Sequence, residues 1–218
     1  MILRLLLIFL PWSMRRRLLK WLFGYDLHPT SRIGKSWVYP RHLKLEENAV
    51  VGHLNLIKGL DRLELGRHSS IGHMNWITAH PSGGLHFRHV EDRSPSLIIG
   101  DHSAITSHHF MDCASRIIIG DYSTVAGIHS QFFTHNLDIE NCRQDTRPIE
   151  IGSYCLVATG TVILAGSVLP DYSVLSAMSL LNKRHSETHR LYAGVPASPL
   201  KAIPAESRYF ARTEGFIE

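Results

Sequence analysis

A six-residue repeat constrains the fold of this 218-residue chain more than any other feature. From residue 151 the sequence reads IGSYCL, VATGTV, ILAGSV, LPDYSV and LSAMSL, so an aliphatic residue recurs at Ile151, Val157, Ile163, Leu169 and Leu175. Four positions after each comes a small residue, namely Cys155, Thr161, Ser167, Ser173 and Ser179. Neither a helix nor one long strand has this period, and a fixed short period is typical of a β-helical solenoid.

In such a solenoid each hexad forms one short side of a triangular coil, and its aliphatic residue points inward and stacks ~4.8 Å from its equivalents. The same spacing recurs earlier in the chain, at Leu45, Val51 and Ile57, at Leu65, Ile71 and Ile77, at Ile99, Ile105 and Met111, and at Ile119, Val125 and Gln131, with Ile33 beginning another unit. These positions predict an all-β solenoid of about six coils over residues 26–203, followed by a helical or irregular tail over 204–218.

The hexads are interrupted twice. Residues 78–96 are rich in Gly, Pro, Ser and His, and residues 136–148 are polar. Both segments are predicted to be loops inserted into the solenoid, where insertions often build the functional site. Just before the second loop, Gln131 falls on an inward position and His135 follows it. A buried amide needs hydrogen-bond partners, so Gln131 is expected to orient the His135 loop or to satisfy a corner.

The first 25 residues combine an apolar run, MILRLLLIFL, with five basic residues and no acid. The run is about half of the ~20 residues that a spanning helix needs, and the charges follow it rather than precede it as in a signal peptide. We therefore expect residues 1–25 to form a short amphipathic helix, with residues 1–23 binding the cytoplasmic face of a membrane. The alternative is a helix packed on the body or on another subunit.

Charge and cysteine content exclude some functions. The net charge of the chain is +4, of which residues 1–25 contribute +5, so the remainder carries −1. A near-neutral body does not favour a nucleic-acid groove, and no nucleic-acid partner is expected. Three cysteines without a CxxC pair do not favour a disulfide framework or a thiolate zinc site, and they fit a reducing compartment.

Three features together resemble the hexapeptide-repeat acyltransferases: the hexads over about residues 31–203, the segment Thr134-His135-Asn136-Leu137-Asp138, and Tyr192-Ala193-Gly194-Val195-Pro196-Ala197. The resemblance implies a left-handed parallel β-helix, a homotrimer with active sites between subunits, and acetyl-CoA-dependent O-acetylation of a sugar on a glycan, lipid or nucleotide carrier, as in surface polysaccharide biosynthesis. It implies that His135 is the general base, since a base with a pKa near 7 can take the proton of a sugar hydroxyl. Asp138 is the expected carboxylate partner, with Asp112 and Glu150 as alternatives.

The same resemblance implies an acetyl-CoA wall formed by Ala158, Thr159, Gly160, Ser176 and Ala177. Ser176 and Met178 depart from the family, which commonly has glycines there. Lys183 and Lys201 are the expected partners of the cofactor phosphates. His108 and Asp112 are candidate acceptor-binding residues on the opposite wall of the cleft.

Other functions stay open from the sequence. N-acetylation of an amino sugar would use the same base. Carbonic anhydrases of this fold bind zinc through three histidines, and His109, His129 and His135 recur at small-residue positions, although their spacing departs from that pattern. The simpler interpretation of His109 and His129, with Asn55 and Asn75, is a hydrogen-bonded polar ladder, and no metal is expected. A third class is a β-helical scaffold without activity.

Overall fold

Parallel strands stack into three sheets, which form the three faces of a β-helix, as the hexads predict. The computed structural model describes residues 2–83 and 86–215. Face one consists of β1 (Asp26–Leu27), β4 (His42–Leu45), β7 (Arg62–Leu65), β10 (Ser96–Ile99), β13 (Ile117–Ile119), β18 (Ile149–Ile151) and β21 (Val168–Leu169). Face two consists of β2 (Arg32–Ile33), β5 (Val50–Val51), β8 (Ser70–Ile71), β11 (Ala104–Ile105), β14 (Thr124–Val125), β19 (Leu156–Val157), β22 (Val174–Leu175), β24 (Arg190–Gly194) and the antiparallel β25 (Ala197–Ala202). Face three consists of β3 (Trp37–Tyr39), β6 (Leu56–Lys58), β9 (Trp76–Thr78), β12 (Phe110–Asp112), β15 (Gln131–Phe133), β20 (Val162–Leu164) and β23 (Leu180–Leu181).

Each coil therefore has three corners. In the fourth coil the first corner is 100–103, between faces one and two, and the second corner is 106–109, between faces two and three. The third corner is 113–116, which leads to face one of the next coil. The names first, second and third corner are used below for the equivalent positions of all coils.

The predicted inward residues line the core, with one exception. Ile57, Ile77, Val125, Ile163 and their equivalents on the other coils are almost fully buried, and the strand register places them directly above one another. The faces hold seven coils rather than about six, because Leu27, Ile33 and Val38 build a first coil whose spacing of six and then five residues hides it in the sequence.

The exception is Gln131, whose predicted inward position is wrong. Phe132 aligns with Met111 and Ile163 in the core and is fully buried, whereas Gln131 points outward and is exposed. Seven residues rather than six separate Val125 from Phe132, since the second corner of this coil contains one extra residue. Gln131 therefore does not interrupt the column of buried residues on face three. The inward positions shift by one residue before it, and Phe132 fills the core instead.

Two helices cover the N-terminal end of the solenoid. They are α1 (Ile2–Ile8) and α2 (Trp12–Phe23), with Pro11 before the first turn of α2 and Gly24 in the left-handed region after its last turn. Leu7 and Leu19 are buried against the body. Neither helix, nor any other in the described part of the chain, has the length and apolar character needed to cross a bilayer.

Arg15 joins α2 to the first coil. This side chain is 2 % exposed, and its guanidinium donates to the carbonyl oxygens of Gly34 at 2.7 Å and Ser36 at 2.8 Å. Trp12 similarly donates its ring N–H to the Ser31 carbonyl at 3.0 Å. One face of α2 is therefore packed on the body, and Arg15 serves this packing.

An aromatic ladder follows the first corner. Six rings stack at centroid separations of 4.7–5.2 Å along the helix axis, namely His68, His102, Tyr122, Tyr154, Tyr172 and His189. The C-terminal tail, with its 3₁₀ turn η1 (Arg208–Ala211), folds back over them. Phe210 packs edge-on against Tyr172 and His189, and the Arg212 guanidinium lies over the Tyr154 ring, so the ladder holds the tail in place.

Candidate active site

Both predicted insertions leave the solenoid at the third corner. The first, residues 79–95, joins β9 to β10, and the second follows β15 two coils later. Between them lies the short third corner of the fourth coil, which follows Asp112 at the end of β12. The two insertions therefore flank Asp112 and emerge on the same edge of the solenoid.

The second insertion is a β-hairpin rather than the predicted loop. Its strands are β16 (His135–Asp138) and β17 (Arg143–Thr146), which pair antiparallel with His135 opposite Thr146 and Asp138 opposite Arg143. His135 is thus the first residue of the hairpin and the last that touches the solenoid. This position fixes the backbone of His135 while leaving its side chain at the surface.

His135 and Asp112 are stacked on adjacent coils. Nδ1 of His135 hydrogen-bonds to Oδ2 of Asp112, and the side chains are 40 % and 10 % exposed. The other carboxylate oxygen, Oδ1, accepts the N–H of Ala114 at 3.1 Å. Thr134 locks the two coils together, since its hydroxyl donates to the Asp112 carbonyl and accepts the Ser115 N–H, both at 2.8 Å. The carboxylate is therefore held in one orientation toward the imidazole.

The carboxylate determines how the imidazole ionises. The hydrogen bond to Asp112 raises the pKa of His135 above its ordinary value, and partial burial opposes this only in part. In the neutral ring an acceptor at Nδ1 requires that Nδ1 carry the proton, which leaves the Nε2 lone pair free. The pair thus has the arrangement of a general base supported by a buried acid.

Asp138, the expected partner of His135, lies elsewhere, and that prediction is corrected. Its carboxylate accepts from the Asn141 backbone N–H at 3.1 Å, the Asn141 side-chain amide at 2.8 Å and Arg143 Nε at 3.3 Å. These contacts close the hairpin and lower the pKa of Asp138. Extension of the chain into β16 turns Asp138 away from the solenoid, so the carboxylate near in sequence is not the one near in space.

The first insertion contributes two residues that the sequence analysis missed. Phe87 is 3 % exposed and meets the His135 ring edge-on at a centroid distance of 6.3 Å. Arg93 lies over the Phe87 ring at 4.7 Å and donates to the carbonyl oxygens of His80, Pro81 and Ala114. Arg93 therefore ties the insertion to the Asp112 corner. Phe87 could have been noticed in the sequence, because an aromatic residue in an otherwise polar insertion indicates that this part of the insertion packs against another surface.

The predicted acetyl-CoA wall forms one continuous strip along the second corner. Ala158, Thr159 and Gly160 occupy this corner in the sixth coil, and Ser176 and Ala177 occupy it in the seventh. Met178 N–H donates to the Thr159 carbonyl at 3.0 Å, so the two corners are stacked. The strip is built from small residues, except that the exposed Met178 thioether lies against Gly160.

Backbone donors are available along this strip. In the first three coils the equivalent amides are satisfied by side chains from the coil above, since His53 accepts the Lys35 N–H, His73 accepts the His53 N–H and Ser107 accepts the His73 N–H. Ala177 offers no such side chain to Thr159. Within residues 2–83 and 86–215, neither the Thr159 nor the Ala177 N–H has a hydrogen-bond partner. Free amides beside small side chains fit an extended chain with amide carbonyls, such as a pantetheine arm.

The other predicted binding residues are dispersed. Lys183 is exposed at the third corner of the last coil, and Lys201 is exposed on β25 at the edge of face two. His108 is exposed at the second corner, where its ring meets that of His129 at 6.2 Å. His108 and His135 therefore lie at different corners of one chain, and Asp112 binds His135 rather than facing a cleft as an acceptor-binding residue.

His109 is buried and belongs to a polar ladder with Asn55 and Asn75, as the simpler interpretation predicted. Asn75 Nδ2 donates to Asn55 Oδ1, the His109 N–H donates to Asn75 Oδ1, and the Ser130 N–H donates to His109 Nδ1. Burial lowers the pKa of His109 to about 4, so its ring is neutral. His129 lies next to His108 rather than His109 in the neighbouring coil, because of the extra corner residue, and its N–H donates to the His108 carbonyl at 3.0 Å. In the described ranges no three His, Cys, Asp or Glu side chains are grouped to hold a metal ion.

Comparisons with known proteins agree with this architecture. No protein-family model matches the chain, and a search of curated sequences finds no match. Among solved structures, an AntD N-acyltransferase variant from Bacillus cereus, in complex with dTDP-4-amino-4,6-dideoxyglucose and coenzyme A, has a TM-score of 0.59 at 14 % identity, covering 87 % of this chain and 89 % of that one. The polysialic acid O-acetyltransferase OatWY has a TM-score of 0.53 at 17 % identity, covering 82 % of this chain and 84 % of that one.

A maltose O-acetyltransferase from Clostridium difficile 630 is similar over a shorter stretch. Its TM-score is 0.52 at 18 % identity, and the match covers 64 % of this chain and 69 % of that one. Identities this low establish the fold alone. The predicted fold class is confirmed: this chain has the left-handed parallel β-helix fold found in hexapeptide-repeat acyltransferases.

Proposed function

We propose that this protein transfers an acetyl group from acetyl-CoA to a hydroxyl of a sugar acceptor, with His135 as the general base. The observation that carries the proposal is the His135–Asp112 pair, which engages the ring through Nδ1, leaves the side chain 40 % exposed, and is held at a corner of an acyltransferase fold. Nε2 accepts the proton of the acceptor hydroxyl as its oxygen attacks the thioester carbonyl. The C–O bond forms, the C–S bond breaks, and the imidazolium returns the proton to the departing thiolate.

The acceptor class is inferred from the neighbours and from the base. OatWY and the maltose enzyme are O-acetyltransferases by name, and both act on saccharides. We place the sugar on a glycan, lipid or nucleotide carrier of surface polysaccharide biosynthesis. The AntD complex with an amino sugar makes N-acetylation the second candidate. Treating the product with hydroxylamine discriminates between them, because an ester is cleaved under conditions in which an amide survives.

The cofactor strip and His135 are brought together by a second copy of the chain. Within one chain, face three separates the second corner from the third, a span of roughly 10 Å for a three-residue strand. The outer side of face three is apolar, with Trp76 57 % exposed and Phe110, Phe133, Val162 and Leu180 partly exposed. We propose that this face packs in a homotrimer. Sedimentation equilibrium measures the mass directly, and a monomer with full turnover would contradict an intersubunit site.

Replacing Asp112 tests the catalytic pair. Asp112→Asn removes the carboxylate that raises the pKa of His135, so the acid limb of the kcat/KM profile is expected to move to lower pH. The plateau is expected to fall about 10²-fold to 10⁴-fold, because the amide can no longer stabilise the imidazolium. The measurement is the release of free thiol from acetyl-CoA between about pH 5 and 9, with a saturating acceptor.

Asp145→Asn is the matched control. Asp145 lies in the hairpin that begins at His135, but it pairs with Arg147 at 3.5 Å, so its replacement is expected to leave both the plateau and the acid limb in place. An Asp112→Asn profile that superimposes on the wild-type profile would reject Asp112 as the partner of the base.

The N-terminal helices supply the basis for a peripheral membrane association. Phe9 is 75 % exposed and Trp21 is 79 % exposed, with Met14 between them in sequence and Arg17 and Lys20 also exposed. Apolar and basic side chains on a short helix without acids suit an anionic membrane surface. We propose that this surface binds the cytoplasmic leaflet.

Trp21→Glu is expected to reduce co-sedimentation with vesicles of one part anionic and one part zwitterionic phospholipid by about tenfold. A point substitution is preferable to deletion of the segment, because Arg15 and Leu19 are packed on the body. Leu54→Asp, which charges an exposed apolar residue of the second corner, should leave binding unchanged. An equal loss of vesicle binding in both variants would contradict a specific role of the N-terminal surface in membrane association.

A further inference from the structure

The two insertions enclose a groove that the catalytic pair does not use. It has a volume of about 590 Å³ and lies between His86, Arg88 and His89 of the first insertion and Leu137, Arg143 and Gln144 of the hairpin. We call it the insertion groove. Since the hairpin begins at His135, the groove begins two to three residues beyond the proposed base, roughly 7–10 Å along the strand.

The groove is connected to the catalytic pair through the first insertion. Phe87, which packs edge-on against His135, separates His86 and Arg88 in sequence. One wall of the groove is therefore fixed to the same ring that contacts the base.

The lining contains two arginines and one carboxylate. Arg88 of the first insertion and Arg143 of the hairpin both line it, together with the imidazoles of His86 and His89. The one carboxylate among the described lining residues, Asp138, is already neutralised by Arg143 and accepts two further hydrogen bonds from Asn141. Over the described ranges, no carboxylate lies within ion-pairing distance of the Arg88 guanidinium.

Arg143 keeps binding capacity as well. Its contact with Asp138 uses Nε, at 3.3 Å, and no described residue accepts from its two terminal nitrogens. Both guanidinium groups that line the groove are planar forks suited to an oxyanion. The exposed side chain of Leu137 adds an apolar surface next to them, which suits the C–H face of a sugar ring.

We propose that the insertion groove binds an oxyanion carried by the acceptor, so that the substrate is an acidic saccharide bearing a carboxylate or a phosphate. Arg88 provides the uncompensated charge, and Arg143 provides the second fork. The identification of the ligand as the acceptor rests on the proposed transferase function. Binding of an oxyanion in the groove does not depend on that function and can be tested by itself.

The experiment measures binding, not turnover. Ligand-observed NMR titrations of the full chain with glucuronate, glucose 1-phosphate and glucose give three dissociation constants at low ionic strength. We expect at least one acid to bind about tenfold more tightly than glucose, with the advantage shrinking as salt rises. Whichever acid binds more tightly identifies the oxyanion as carboxylate or phosphate.

Arg88→Gln is expected to abolish the preference for the acid, and Arg143→Gln to reduce it. Arg208→Gln, which removes an exposed arginine of the tail, should preserve the preference. His135→Ala should also preserve it while stopping transfer. Equal affinity of the wild-type protein for both acids and glucose would overturn the anion site, even with transfer intact. A preserved preference without any acetyl transfer would instead retain the anion site and reject the proposed transferase.

Discussion

His135→Ala is expected to lower kcat for acetyl transfer by about 10²-fold to 10⁴-fold, the usual contribution of a positioned general base. The loss follows from the geometry, because Nε2 is the free basic atom of the His135–Asp112 pair. Folding should be little affected, since the side chain is 40 % exposed and lies outside the core stacks. The measurement is thiol release from acetyl-CoA with a saturating sugar acceptor, together with the melting temperature of each variant.

The matched control is His42→Ala, which removes an exposed histidine from face one. We expect its turnover and its melting temperature to equal those of the wild-type protein. Calorimetric titration with acetyl-CoA should give about one site per chain in both variants, because the second-corner strip is unchanged. Undiminished turnover in His135→Ala would reject the general-base role, whereas lost CoA binding would show that the variant had disturbed the wall.

Phe132→Ala is expected to cost about 3–5 kcal/mol of unfolding free energy, because it empties a fully buried aromatic position between Met111 and Ile163. For a chain of this size that corresponds to a fall in melting temperature of roughly 10 °C. Gln131→Ala, one residue earlier, should change stability by less than about 0.5 kcal/mol, because its side chain is exposed.

The pair of variants tests the phase of the fifth coil. Circular dichroism at 218 nm, followed on heating, gives both midpoints under the same conditions. The opposite order of effects, with Gln131→Ala the more destabilising, would place Gln131 in the core as the uninterrupted hexads predicted.

The hexads predicted the solenoid because the inward position needs an aliphatic residue on every face, and this demand is visible in sequence. The phase shift before Phe132 was not visible, since a corner tolerates an extra residue without changing the composition around it. Only the stacking of Phe132 on its neighbours reveals which of the two adjacent residues enters the core.

In the candidate site, too, the local sequence identifies one residue but not the partners that come from other coils. His135 could be predicted because it stands at the end of a repeat and the start of an insertion. Its partner could not be selected, since Asp138 is three residues away and Asp112 is a full coil away. The fourth and fifth coils pair residues 20 or 21 positions apart, so the side chains around a corner come from different turns of the chain. Phe87 and Arg93 are still more distant from His135 in sequence. They lie in an insertion without hexads, so no repeat predicts where they come to lie.

The contacts of α2 with the first coil also affect whether a second copy of the protein can pair with this end of the solenoid. The lowest turn of any such solenoid presents a row of unpaired carbonyl oxygens, and the top turn of another copy would fit against it. Arg15 fills two of these acceptors, at Gly34 and Ser36, and Trp12 fills a third at Ser31. The N-terminal helix thus occupies three acceptors of the first turn, at Ser31, Gly34 and Ser36, and makes them unavailable to the edge of a second molecule.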